Sequence, residues 1–195
     1  MRKVTDLLGL HESVADMFAS QGEWRRAYEH LRAALDSARE ENLRDALTGA
    51  YNRRYLDQRL RTTSGEVAIA LVDLDLFKRV NDTFGHLTGD RVLQQVVALL
   101  QRDLPHDAFC ARYGGEEFAL ILPCPGAEAV VDAARTRVAR HPWFRLTTGL
   151  SVTVSIGIAR DLSDADELLY VAKRAGRNRV AYRVQGEIRL IHDSV

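Results

Sequence analysis

Only two cysteines, Cys110 and Cys124, occur among 195 residues. Two cannot build a disulfide framework, and without a CxxC or a Cys/His cluster they exclude a zinc module. Charge of one sign is also missing, since 27 basic side chains balance 27 acidic ones. That balance argues against a general nucleic-acid or anionic-membrane binder, either of which carries a basic surplus. No apolar run approaches the roughly 20 residues that span a bilayer. The opening Met1-Arg2-Lys3-Val4 leads into mixed polar sequence with no signal-peptide core. A soluble, cytoplasmic protein is the expectation. What is present is ordinary globular material, 46% hydrophobic and 28% charged, which rules out wholesale disorder.

Residues 1–43 read as an N-terminal helical segment and 44–195 as the main domain. Val14 and Met17/Phe18 mark one apolar stripe and Gly22 breaks it. Trp24, Ala27/Tyr28, Leu31, Ala34/Leu35 and Ala38 mark a second, recurring at about 3.5 residues. That period suits a packed helix pair or a coiled-coil seam. The order of helix, glycine turn and Trp/Ala/Tyr/Leu helix resembles one tetratricopeptide unit, but solenoids need about three repeats to bury their faces. A dimerisation stalk, the remnant of a longer array and an accessory hairpin all remain open.

The run Glu66-Val-Ala-Ile-Ala-Leu-Val-Asp73 predicts a strand buried on both faces. Val92, Val96, Leu99 and Leu100 place a helix over 88–101. Strand-like runs at 108–113 and 117–122 meet at Gly114-Gly115, a hairpin signal. Ala127, Val131, Ala134 and Val138 form a helix that ends near His141-Pro142. Residues 151–159 read as a strand, 165–175 as a helix and 180–184 as a short strand. The order β-α-β-β-α-β, then α-β, is that of a ferredoxin-like, split-βαβ domain. The expected fold is therefore α+β, a central antiparallel sheet flanked by helices. It brings the end of the first strand beside the hairpin turn.

Two acidic clusters meet there, Asp73-Leu74-Asp75 and Glu116-Glu117. They would repel unless a cation lay between them. A hard divalent ion takes oxygen ligands and is completed by water and phosphate. Asp73 and Glu116 are the first candidates to hold it, followed by Glu117 and the Leu74 carbonyl. Between the clusters, Asn81-Asp82-Thr83-Phe84-Gly85-His86-Leu87-Thr88-Gly89-Asp90 reads as a polar turn opening a helix. Its amide and carboxylate suit the N1–H and exocyclic amine of guanine. Alternatively, Thr88 or Asp90 caps the helix and His86 packs the loop. Lys173, Arg174, Arg177, Arg179 and Arg183 concentrate positive charge within 171–183, with no acid. Lys173 and Arg177, four apart, suit a helix C-terminus or a polyphosphate. No Walker-type GxxxxGK[ST] or GxGxxG loop is present.

Arg112-Tyr113-Gly114-Gly115-Glu116-Glu117-Phe118 resembles the GGDEF/GGEEF signature of bacterial diguanylate cyclases. Asp45-Ala46-Leu47-Thr48 with Asn52-Arg53-Arg54 agrees in order and spacing. So do Asp73 through Lys78, Asn81-Asp82, Gly85-His86, Gly89-Asp90, Ser155-Ile156-Gly157 and Lys173 through Asn178. The match covers roughly 44–184. The resemblance implies a palm-like sheet and the Mg²⁺-dependent (or Mn²⁺-dependent) condensation of two GTP to cyclic di-GMP with release of pyrophosphate. It implies a homodimer, because each subunit holds one GTP. It implies that Asp73, the Leu74 carbonyl, Glu116 and Glu117 serve the metal, and that Asp73, Glu116, Glu117 and Lys78 are catalytic. Asn81 and Asp90 would recognise guanine, Lys78, Lys173 and Arg177 would meet the triphosphate, and Phe77 and Gly115 would complete the substrate site. Family members with an Arg-x-x-Asp product-inhibition site have its Arg nine residues before the first signature Gly. Here those positions are Pro105 and Ala108, so that site is expected to be absent. Asp90 points to GTP alone. A regulatory protein contact through the N-terminal helices is a further expectation. The competing reading is a catalytically silent GTP-binding or protein-interaction module.

Overall fold

The computed structural model describes residues 2–63, 65–123 and 125–192; Cys124, noted above, lies outside them. The chain divides into two compact units at Ala46/Leu47.

The first unit is a helical hairpin of α1 (Arg2–Ser20) and α2 (Trp24–Glu41). Gly22, at φ 77°, reverses the chain. Small residues allow the two helices to approach: Ala15, Ala27 and Ala34 are buried. His30 stacks on Phe18 and touches His11. Trp24, Tyr28, Leu31 and Leu35 remain about half exposed or more. The 3.5-residue stripe therefore follows an outer face of α2, and alanines one position away make the hairpin contact.

In the second unit α3 (Arg53–Thr62) precedes β1 (Val67–Leu74). The apolar pattern does not predict α3, because Tyr55, Leu56 and Leu60 are its only apolar residues. Its start is set by Asn52, whose side chain accepts from Tyr55 N, and by a Tyr51–Tyr55 stack against Phe109. Next come α4 (Phe77–Phe84), α5 (His86–Gln101), β2 (Phe109–Arg112), β3 (Glu117–Pro123) and α6 (Ala127–Arg140). β4 (Val154–Ala159), α7 (Leu162–Arg174), β5 (Val180–Val184) and β6 (Glu187–Ile191) complete the chain. The six strands form one sheet in the order β2-β3-β1-β4-β5-β6. β1 lies antiparallel between β3 and β4, and β5 adds parallel to β4.

Alternation along β1 sends side chains to two cores. Ala68, Ala70, Val72 and Leu74 join the core under α5 and α6, whereas Ile69 and Leu71 join Leu56 and α7's Ala165 and Leu169. Asp73 continues the second series, so its side chain points to the α7 face.

Three readings need correction. The polar stretch 81–90 is the end of α4, a Gly85 break and the start of α5 rather than a turn. Gly85 is the N-cap of α5 and no side chain caps it, so neither Thr88 nor Asp90 has the capping role, and His86 is exposed. The fourth strand starts at Val154, after an irregular Ser151–Thr153. β6 goes unpredicted, although Gln185-Gly186, both at positive φ, form the kind of turn that joins two-residue hairpins.

Candidate active site

The site forms where β1, the β2–β3 turn and the C-terminus of α7 converge. Register places Asp73 opposite Glu117 on one side and Ser155 on the other. Leu74 N donates to Glu116 O at 3.3 Å, tying the acidic turn to the end of β1. Within the turn, Tyr113 N and Gly114 N both donate to Glu117 O, and Arg112 Nη2 donates to Gly115 O at 2.7 Å. The Gly-Gly-Glu-Glu loop is thus held by its own backbone and one guanidinium, leaving its carboxylates partly exposed.

Asp73 is buried, and Lys173 Nζ stands 2.8 Å from its Oδ2. Burial raises its pKa; Lys173 opposes the rise, while Glu117 and Asp75 add to it. Glu116 is also raised, first by burial and then by the charge of Asp73, with Lys173 again opposing and Glu117 adding. The expected repulsion between the clusters is present, and part of the compensating cation is Lys173 itself. The donor set fits a hard divalent ion, being carboxylate and carbonyl oxygen with no thiol or imidazole. No three His, Cys, Asp or Glu side chains converge as a metal cage among the described residues. A cation would therefore take Asp73 and Glu116 with the Leu74 carbonyl, leaving positions for water and substrate oxygens.

Asp75 has a different role. It is buried, and accepts from Thr153 Oγ1 and Ser155 Oγ at 2.6 Å each and from Asn178 N at 3.0 Å. Its acceptors are committed to binding the β4 entry and the loop after α7 to the end of β1. Spacing alone does not separate it from Asp73.

Beyond β1 the chain turns sharply through Leu76, at φ 56°, into α4. A left-handed leucine costs roughly 1–2 kcal/mol, the kind of local strain that concentrates at functional sites. Phe77 is buried in the core, while Lys78 is exposed on α4. Asn81 lies over Gly89, and a Cβ there would overlap the Asn81 carboxamide oxygen and crowd Phe77. Asp90, the next residue of α5, is exposed.

After α7 the chain passes through Gly176, Arg177 and Asn178 at φ 121°, 63° and 46°. Arg177 is exposed. It lines a cavity of about 540 Å³ with Asp75, Leu76, Arg79, Thr83 and Asn178. Asp73, Glu116, Lys78 and Lys173 lie outside that cavity. Sequence reasoning missed Arg135 as part of this region. Asn178 closes the Lys173–Asn178 motif, whereas Arg135 has the sequence signature of any solvent-facing helix arginine.

The geometry defines a carboxylate cluster, paired with one lysine, where the end of β1 meets the β2–β3 turn. The diguanylate cyclase GGDEF domain family matches residues 42–179, and the chain belongs to that family. It is 38% identical to the diguanylate cyclase DgcP of Pseudomonas aeruginosa over 75% of this chain and 25% of that protein. It is 37% identical to the response regulator PleD of Caulobacter vibrioides over 83% of this chain and 40% of that protein. The chain thus spans a quarter to two fifths of the length of these relatives. The coiled-coil and GGDEF domain of DgcB from Caulobacter crescentus, solved with c-di-GMP, superposes at TM-score 0.72. It is 31% identical, covering 86% of this chain and 99% of that one. The diguanylate cyclase SiaD of Pseudomonas aeruginosa, solved with its activator SiaC, superposes at 0.70 over 93% of this chain and 77% of that one, also at 31% identity. Among the described residues no helix is long and apolar enough to cross a membrane.

Proposed function

We propose that this chain is a cytoplasmic diguanylate cyclase: two GTP condense to cyclic di-GMP, and two pyrophosphates leave. In each half-reaction a 3′-oxygen attacks the α-phosphorus of the facing GTP, and the bond to the β-phosphate breaks. Residues 44–195 carry this chemistry, and residues 1–43 hold two copies together through the α2 stripe or meet a regulatory protein.

The single observation that carries the reading is the buried Asp73, in register with the acidic turn and touched by Lys173. Asp73, Glu116 and the Leu74 carbonyl would hold Mg²⁺ or Mn²⁺, with Glu117 beside them. When bound, that ion supplies charge neutralisation at the α-phosphate and at the leaving pyrophosphate. Lys173 pairs with Asp73 and would meet the phosphate oxygens of a bound nucleotide. Lys78 and Arg177 approach the triphosphate from α4 and from the loop after α7. Asn81 and Asp90 select guanine, Asp90 by accepting from N1–H and the exocyclic amine, an edge that adenine does not offer. Phe77 and Gly115 support the substrate from the α4 start and the acidic turn. With one guanine pocket per subunit, the attacking hydroxyl comes from a second copy. Pro105 and Ala108, at the positions of an Arg-x-x-Asp motif, leave the enzyme without that product-inhibition site.

The test is to incubate the protein with GTP and Mg²⁺ across a range of protein concentrations. Cyclic di-GMP and pyrophosphate should appear, and a Glu116→Ala variant should form neither. GTP binding without pyrophosphate release at any concentration would replace this reading with the silent binding module.

A further inference from the structure

We propose that Arg135, on α6, is a positioning residue for Arg177, acting through Asn178; this rests on the reading that Arg177 meets the triphosphate. Arg135 has no exposed surface. A guanidinium cannot shed its charge, so a buried one must have its donors met. Nε donates to Asp132 Oδ1 at 2.7 Å and Nη2 to Thr136 Oγ1 at 3.1 Å, both on the same helix. Nη1 instead reaches 43 residues along the chain, to Asn178 Oδ1 at 2.9 Å and Asn178 O at 3.2 Å.

Asn178 is held from a second direction, because its N–H donates to Asp75 Oδ2 at 3.0 Å. Thr153 and Ser155 fix that carboxylate in turn. Two buried charges, one from α6 and one from the end of β1, therefore grip the residue next to Arg177. The grip explains why Gly176, Arg177 and Asn178 can run through three consecutive positive φ angles although two of them carry side chains. Asparagine tolerates that conformation better than most non-glycine residues, and Arg135 reads both its backbone and its amide. Arg177 N donates to Ala172 O at 3.2 Å, and Arg177 O accepts from Arg179 Nε at 2.8 Å. The Arg177 backbone is thus fixed on both sides, while its exposed side chain projects from a preset base. Preorganising a charged contact in this way strengthens binding by removing an ordering cost.

The experiment measures binding of 3′-deoxy-GTP, which lacks the attacking hydroxyl, to the 195-residue chain with Mg²⁺. Arg177→Ala should weaken binding about tenfold, the loss of one charge-assisted contact. Arg135→Met should weaken it by a similar factor, yet by less than about twofold in the Arg177→Ala background, because the two residues act as one unit. Asn178→Gly keeps the left-handed conformation and the backbone acceptor but removes Oδ1. It should cost a few-fold, again only when Arg177 is present, and it decides the matter alone if Arg135→Met does not fold. Losses that multiply in the double variants, or unchanged binding in both Arg135→Met and Asn178→Gly, would overturn the assignment. Failure of the wild-type protein to bind 3′-deoxy-GTP would instead overturn the nucleotide reading beneath it.

Discussion

Lys173 Nζ lies 2.8 Å from Asp73 Oδ2, so the carboxylate at the centre of the site is paired with a cation from α7 independently of any metal. The pairing does not fully offset burial, and the Asp73 pKa stays above its ordinary 3.8. The folded chain consequently keeps a proton that the unfolded chain releases. Stability from this group is full below pH 3.8 and is lost as pH rises through the elevated value. Glu116 acts in the same direction. Denaturation of the metal-free protein from about pH 4 to pH 8 should show wild type losing stability relative to Asp73→Asn as pH rises. Mg²⁺ should then stabilise wild type and not the variant. Parallel pH curves would contradict this account.

The Lys173–Asp73 contact depends on how closely α7 lies against β4. A Cβ on Gly157 would fall inside the backbone of α7 at Ala165 O and Leu169 N. Backbone cannot yield as a flexible side chain can, so Gly157→Ala forces the helix away from the sheet. A loss of about 3 kcal/mol is expected, at the upper end for overpacking. At temperatures where the variant stays folded, activity should also fall, since Lys173 moves with the helix. A midpoint of denaturation within error of wild type would show that α7 has slack.

Strands β1 to β5 were legible because their apolar runs are short and bounded, as in Val67–Leu74, whereas β6, with Glu187 and Arg189 among its five residues, was not. The meeting of Asp73 with the Gly114-Gly115 turn followed from strand order alone. α3 was not legible, since a helix whose only apolar residues are one tyrosine and two leucines has almost no period. Nor was the division of labour between Asp73 and Asp75: two residues apart at the strand end, they differ in what β4, α7 and the 176–178 loop offer them. Thr153, Ser155 and the Asn178 amide meet Asp75, and Lys173 meets Asp73. Partners 78 to 103 residues distant leave no trace in local spacing.

The α4–α5 junction yields a prediction that separates binding from folding. At Gly89 an added Cβ meets the end of the Asn81 side chain and, less closely, the rim of the Phe77 ring rather than backbone, so Asn81 can swing away and Phe77 need yield only slightly. Alanine also suits the interior of α5 better than glycine, by roughly 0.5–1 kcal/mol. Gly89→Ala should therefore leave the melting temperature nearly unchanged while raising KM for GTP about tenfold through the displaced amide. Steady-state kinetics and thermal unfolding on one preparation check both halves. An unchanged KM would remove Asn81 from guanine recognition.

The exposed stripe on α2 tests whether two copies meet there. Trp24, Tyr28, Leu31 and Leu35 are spaced four, three and four apart and stay open to solvent, which is the a/d pattern of a two-helix seam. The alanines that hold the hairpin, Ala27 and Ala34, are separate from it. Leu31→Asp should therefore leave the helical hairpin intact by circular dichroism while placing a carboxylate in the seam. Sedimentation should show the monomer–dimer dissociation constant rising at least about tenfold, the order expected when a charge replaces a buried leucine. Specific activity should fall at dilute protein and recover as concentration increases, as the proposed reaction between two GTP-bearing subunits requires. An unchanged association equilibrium with full activity at nanomolar protein would assign the stripe to a different partner and locate dimer contacts within residues 44–195.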